Sequence, residues 1–390
     1  MLVPLTNDPR DYAWGSATLI AQLEGREPSG RPEAEVWFGD HPGDPSETPD
    51  GRTLDAWLAD EGRATGSPAQ LPYLLKLLAA ASALSIQAHP SKRQAEAGFA
   101  REEAAGIPRD AGERTYRDDN HKPELIVAVS DEFRALAGLR DLPATRRLVG
   151  GLGPGAGPLA ERLEGADASA ASVIGWVLSA EASDDVAAVI AAARAASSDE
   201  FAPELELVRT LDEQFPGDPG IVVALLMNLV TLRRGEGLFV PAGVLHAYLS
   251  GLGVELMAAS DNVLRGGLTP KHIDVAELLS VLDATPGRQP VVRPREVAPG
   301  VHRFDVPVAD FALDRVTVAR GAVSDVRLSG PAIALATAGQ LALTGSRSGV
   351  RVSLVPGEAV FVSPDEASLR IEGDGELFLA VPGADLAAEG

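Results

Sequence analysis

Two stretches of the chain repeat one local design: RGEGLFVPA, beginning at Arg234, and PGEAVFVSP, beginning at Pro356. In both, a Gly-Glu turn leads into an apolar strand, so whatever surrounds them must accept the same turn-then-strand unit twice. From about residue 303 to the end, short β-rich runs alternate with Gly and polar turns at regular spacing, the pattern of an all-β sandwich or barrel. The repeat predicts a mainly β chain with two related jelly-roll barrels. Counting onward from each copy, His246 in the first falls opposite Ser368 in the second. If His246 is a metal ligand, only the first barrel keeps a site.

Between the β-rich parts the composition changes. Residues 141–215 are Ala-rich and amphipathic, with patterns such as DDVAAVIAAARAAS and ELELVRTLDEQF, and read as a helical insertion. This segment has no histidine and no evident chemistry. The expected organisation is a discontinuous catalytic domain over 1–140 and 216–300, the helical insertion over 141–215, and a second barrel over 301–390. A length of 390 residues is ample for two or three domains. Ser91 is a plausible N-cap for a helix over 92–106.

Charge and cysteine usage restrict the function. The formal net charge of -22 argues against nucleic acid and anionic membrane surfaces as partners. It also means that an anionic substrate needs a locally basic site. With no cysteine, disulfides and thiolate metal sites are excluded, and a metal must be held by His, Asp, Glu, Gln or Asn. The first residues show neither a basic nor an apolar leader region, so the expected location is cytoplasmic.

Four segments concentrate the unusual polar residues: SIQAHPSK, DDNHKPEL, PAGVLHAYL and SDNVLRGGLTPKH. In the first, strand alternation turns Gln87 and His89 to one face. Glu124 opens a strand after Pro123, and His246 follows a Pro-Ala-Gly turn. Two imidazoles, a carboxylate and an amide oxygen suit Zn²⁺ or another divalent first-row ion. One carboxylate against a dication leaves a positive centre able to polarise a carbonyl. Each residue also has a plainer reading: His246 as a core histidine, Glu124 as a surface ion pair with Lys122, Gln87 and His89 as a polar surface.

Lys76, Lys122, Arg265 and Lys271 are the cations near these motifs. Lys76 reads either as a site cation or as a snorkelling side chain on an amphipathic helix. Arg265, beside two glycines, reads either as a ligand contact or as an ion-pair partner of Asp261. His41 and His302 sit in turn-like contexts and read as structural or exposed.

Together with YAWGS, AEVWFGDHP and LPYLLKLLAAASALSIQAHP, the segments SIQAHPSK, YRDDNHKPEL and FVPAGVLHAYLSGLGVELMAASDNVLRGGLTPKHIDV resemble class I mannose-6-phosphate isomerases, zinc enzymes of the cupin superfamily. The matching segments run in the family's order from about residue 10 to residue 280; the helical insertion and the C-terminal part agree in architecture only. The resemblance implies interconversion of mannose 6-phosphate and fructose 6-phosphate through a cis-enediol, with one zinc ion per chain. It implies Gln87, His89, Glu124 and His246 as zinc ligands and Arg265 as the active-site arginine. Lys76, Ser85, His121, Lys122, Tyr248, Glu255, Asp261 and Lys271 match positions lining the family's pocket. Lys122 and His121 are then the candidate proton carriers, tuned by Asp261 or Glu255. The phosphate is expected toward Ser85 and Lys76, with Arg265 within reach of either phosphate or enediolate. Two rival classes use the same residues: a cupin oxygenase with iron on His89, Glu124 and His246, and a non-catalytic sugar-phosphate-binding cupin. Activity on glucose 6-phosphate is open, and no motif indicates an oligomeric state.

Overall fold

The computed structural model describes residues 1–165 and 169–383. Its strands form two antiparallel sheets, one of ten strands and one of nine, and the pairings among the described residues do not close either into a ring. The two repeated stretches occupy equivalent places. Gly235 and Gly357 take the turn at φ 80° and 91°, a region open to glycine at little cost. In each turn the glutamate folds back on the chain. Glu236 accepts the Arg233 N–H at 3.0 Å, and Glu358 accepts the Val355 N–H at 2.9 Å. The strands Gly237–Val240 and Ala359–Val362 follow, and His246 and Ser368 each open the next long strand, His246–Ala258 and Ser368–Val381.

The His246–Ala258 strand organises the larger sheet. Its C-terminal half lies between Tyr73–Ala80 and Glu124–Ala128, while its start pairs with Ile86–Ala88 and Glu132–Leu139. Tyr73–Ala80 is a strand buried along its whole length, so Lys76 does not snorkel from a helix. A continuous apolar run fits a strand buried on both faces as well as a helix, and pairing with Glu35–Phe38 and His246–Ala258 decides it.

Helices run from Leu142 to Leu225, continuing beyond the expected limit at 215. Asp141 caps the first of them by accepting the Ala144 N–H at 2.9 Å. Within the layer, Val186, Val189, Ile190 and Ala193 form one apolar stripe that packs with Leu205, Val208 and Leu211. The same core includes Ile86, Ala88 and Leu245, so the helices rest against the edge of the larger sheet that carries the candidate site. Ser91 caps Lys92–Ala104 with a reciprocal bond to Gln94.

The smaller sheet draws chain from outside 301–390. Leu2–Leu5 pairs with Ala359–Val362, and Arg295–Ala298 pairs with Val301–Phe304. The two sheets share one apolar layer in which Phe304, Phe361 and Phe378 meet Leu75, Leu125 and Val254. The Tyr73 hydroxyl is shared between the carbonyls of Pro331 and Ala380, at 3.1 and 3.2 Å. Each fully buried aromatic ring in such a layer contributes about 1.5–3 kcal/mol. No helix among the described residues is long and apolar enough to cross a membrane.

Candidate metal centre and its cavity

Register brings the first set of residues together. Gln87 lies directly across the ladder from His246 on one side and from Arg265 on the other. Residues opposite each other in a ladder point to the same face, so an amide, an imidazole and a guanidinium share one wall. His89 follows Ile86–Ala88 and is held by the Gly243 N–H on its carbonyl at 2.8 Å. Glu124 opens the neighbouring strand. The ligand atoms of His89, Glu124 and His246 lie within 4.8 Å of one another, all three side chains buried.

The hydrogen bonds fix what this cluster presents. His89 Nδ1 is 2.7 Å from the Asn262 carbonyl, and His246 Nδ1 is 3.3 Å from the Val244 carbonyl. A carbonyl only accepts, so each Nδ1 carries the proton, and a neutral ring then presents its Nε2 lone pair. Those two Nε2 atoms face the two oxygens of Glu124, each at 3.2 Å. His89 Nε2 is a buried polar atom without a hydrogen-bond partner. Lone pairs aimed at a carboxylate repel unless a cation lies between them. The residues therefore fit a divalent metal, with Gln87, whose Nε2 donates to Ser85 at 3.0 Å, offering its amide oxygen beside them.

Protonation states agree with that reading. Burial pushes the His89 imidazole down to about 4, which keeps it neutral. Burial alone would raise the Glu124 carboxyl, but the Lys122 ammonium beside it holds it well below the usual range. Lys122 Nζ is 2.9 Å from Glu124 Oε1, and the Tyr248 hydroxyl donates to Glu124 Oε2 at 3.2 Å. The Glu124–Lys122 pair thus exists, but inside the site rather than on the surface.

The cluster opens on a cavity of about 880 Å³, large enough for a sugar phosphate. Lys76, Ser85, Lys122, Tyr248, Glu255 and Asp261 line it, together with Arg265 and Lys271. Lys76 is neutralised where it stands, 3.4 Å from Glu255 and 3.7 Å from Glu35, with the Trp37 ring 4.7 Å away. Burial would lower the Lys76 ammonium, yet the two carboxylates raise it above its ordinary value. Glu255 is pushed up by burial and by Glu124.

A different cation group has no such counter-charge. Arg265 is lowered by burial and by Arg117; Lys271 is lowered by burial, Arg265 and Arg117. Among the described residues no carboxylate forms an ion pair with these three. Arg265 does not pair with Asp261, whose carboxylate instead lies 3.4 Å from His41 Nε2.

Further residues depart from the sequence reading. His121 is not on the cavity wall; its Nε2 is 2.8 Å from Asp310. Lys122 and Glu124 both face the cavity, whereas His121, ahead of the Glu124–Ala128 strand, does not. His41 is buried rather than exposed, packed edge-on to Trp37, and lines the cavity. Its Nδ1 accepts the Gly43 N–H at 3.1 Å, so Nε2 carries the proton toward Asp261. Arg117 lies in YRDDNHKPEL and His41 in AEVWFGDHP, and membership of those segments was the available clue. Gln214 and Phe215, from the end of the helical segment assigned no chemistry, also line the cavity. Asn262 links the parts: its side-chain oxygen accepts the Arg117 N–H at 2.8 Å while its carbonyl holds His89.

Comparison with known proteins agrees with this geometry. Residues 2–142 match the family model for the phosphomannose isomerase type I catalytic domain. The mannose-6-phosphate isomerase of Salmonella typhimurium is 37% identical, across 96% of this chain and 97% of that protein. The mannose-6-phosphate isomerase of Bos taurus is 31% identical, across 94% and 95%. The crystal structure of the Salmonella typhimurium enzyme bound to its substrate and a zinc atom superposes with a TM-score of 0.86 at 33% identity, covering 98% of this chain and all of that one. The chain therefore belongs to the type I phosphomannose isomerases, the mannose-6-phosphate isomerase family.

Proposed function

We propose that this protein interconverts mannose 6-phosphate and fructose 6-phosphate in a zinc-dependent aldose–ketose isomerisation. The observation that carries the reading is the pairing, in one cavity, of an all-acceptor His89–Glu124–His246 cluster with a cation group lacking counter-charge. Zinc held by His89, Glu124, His246 and the Gln87 oxygen would supply Lewis acidity toward the substrate's carbonyl and hydroxyl oxygens. Arg265 stands two strands from His246, about 10 Å at ordinary strand spacing, a separation suited to a ligand with a polar head and an anionic tail.

The phosphate is assigned to Arg117, Arg265 and Lys271 rather than to Lys76, because Lys76 is already matched by Glu35 and Glu255. Lys76, Glu255 and Tyr248 form a polar wall able to orient sugar hydroxyls. Proton transfer between C1 and C2 is assigned to Lys122, which faces the cavity beside Glu124. His41, whose Nε2 faces Asp261, is a second group able to pass a proton. Glu124 and Asp261 keep their negative charge near these carriers and favour their protonated forms as charge develops.

The two sheets are read as two jelly-roll barrels of cupin type with a helical domain, a reading supported by the repeated Glu-closed turn. On this reading 1–140 with 216–300 is the catalytic part, 141–215 the helical part and 301–390 the second barrel, with Leu2–Leu5 exchanged into the latter. The test is isomerase activity on mannose 6-phosphate before and after chelation, with zinc restored. Activity that vanishes and returns with zinc supports the reading. A zinc-loaded protein that binds sugar phosphate without turnover, or one that takes up oxygen with iron, refutes it.

A further inference from the structure

The turn Gly217-Asp218-Pro219-Gly220 ends the long helix before it and leads into Gly220–Leu225, and the site described above makes no use of it. Its aspartate reaches across to the segment between Arg265 and Lys271. Asp218 Oδ1 accepts the N–H of Leu268 at 2.9 Å and that of Gly220 at 2.7 Å, and Oδ2 accepts the N–H of Thr269 at 3.2 Å. Leu268 is held at φ 56°, a left-handed conformation that a branched side chain rarely adopts, and it is fully buried. Thr269 then accepts the Lys271 N–H on its hydroxyl at 3.1 Å. Behind the carboxylate the two segments touch backbone to backbone: a Cβ on Gly267 would lie 2.3 Å from the Gly220 Cα. Leu268, Thr269, Pro270 and Lys271 all line the cavity, and Asp218 does not.

We propose that Asp218 is a positioning residue for substrate recognition: it fixes the Leu268–Thr269 backbone so that Arg265 and Lys271 stand at the spacing a phosphate requires. The turn leaving the helical layer is then part of phosphate recognition and not only a scaffold. A charged carboxylate accepting two N–H groups of a strained segment is strong enough to impose that geometry, since each such bond exceeds a neutral one. The inference rests on the isomerase reading above and deepens it at the phosphate end.

The test uses the full-length, zinc-loaded protein with Asp218→Ala, Asp218→Asn, Leu268→Gly and the double variant Asp218→Ala/Leu268→Gly. Asp218→Ala should raise KM for mannose 6-phosphate on the order of 10-fold or more while kcat and zinc content stay near the unmodified values. Inorganic phosphate, titrated by calorimetry, should weaken in parallel, and this readout needs no turnover. Asp218→Asn, which keeps acceptor oxygen but no charge, should fall between. Glycine takes φ 56° without strain, so adding Leu268→Gly to Asp218→Ala should restore much of the lost affinity. Lower thermal stability with unchanged KM and phosphate affinity would overturn the proposal, as would a loss confined to kcat. If Asp218→Ala does not fold, Asp218→Asn decides by the same criteria. Should the unmodified protein bind phosphate but lack isomerase activity, the isomerase reading fails, and the phosphate titrations of the variants still judge Asp218.

Discussion

Replacing Glu124 by glutamine tests the metal centre most directly, because the change keeps the size of the side chain and removes its charge. The carboxylate is 3% exposed and faces Lys122, both imidazole Nε2 atoms and the Tyr248 hydroxyl at 2.9–3.2 Å. Without metal, the variant leaves the Lys122 ammonium buried without its anion, and breaking such a pair costs about 3–5 kcal/mol. The new amide N–H can donate to one imidazole lone pair, which offsets about 1 kcal/mol. Denaturant unfolding of the zinc-free protein should therefore show a net loss of about 2–4 kcal/mol. With metal the effect is larger. Outer partners of ligands change affinity by about 10–100-fold, so loss of the one anionic ligand should exceed about 100-fold in a competitive zinc titration. A Glu124→Gln protein that binds zinc within about threefold of the unmodified protein would refute the metal assignment and leave Glu124 as the ion-pair partner of Lys122.

Arg265→Ala and Arg117→Ala should each retain zinc and mainly raise KM by about 10-fold, the worth of one charge-assisted contact, measured by metal content and steady-state kinetics. His121→Ala should change kcat by less than about threefold, since its loss removes only a partly exposed pair with Asp310; a fall of about 100-fold would restore it as a proton carrier. Glu366 tests the smaller sheet. Burial would raise its carboxyl, but bonds from Ser348 and the backbone N–H groups of Arg347 and Ser348 hold it down to about 2. Because the folded value is below the unfolded one of about 4.5, its stabilisation is complete above that pH and disappears as pH falls through 2. Acid unfolding should lose about 3 kcal/mol from this group in that window, and Glu366→Gln should remove that part of the pH dependence.

What the sequence made legible was local. Strand alternation pairs Gln87 with His89, and the repeated Gly-Glu turn predicts equivalent strands that the structure contains down to the glutamate closing each turn. What it hid depends on distant partners. Lys76 sits in an apolar run that fits helix or strand, and only pairing with Glu35–Phe38 and His246–Ala258 turns its ammonium inward. His41 looks like a turn residue until Asp261, far along the chain, is placed 3.4 Å from it. Gln214 and Phe215 have no motif at all; they reach the cavity because the end of the Ala202–Gln214 helix packs beside Ala83, whose N–H the Gln214 side chain accepts at 3.1 Å. Leu2–Leu5 joined the remote sheet for a related reason, since strand pairing over hundreds of residues leaves no periodic trace.

Pairing, rather than position in a motif, separates the cations by role. Lys76 and Lys122 each face buried carboxylates, Glu35 with Glu255 in one case and Glu124 in the other, so their charge is balanced before any ligand arrives. An anion binding at Lys76 would have to displace two buried acids, Glu35 and Glu255, that already hold its ammonium. Arg117, Arg265 and Lys271 face the opposite problem. Held together on a chain of formal charge -22, they depress Arg265 and Lys271 and, on the proposed reading, would be stabilised by an incoming dianion rather than by the protein. Phosphate binding there would relieve a repulsion built into the apoprotein. The affinity of this end should weaken steeply with ionic strength, while the enclosed His89–Glu124–His246 cluster should be far less sensitive to salt.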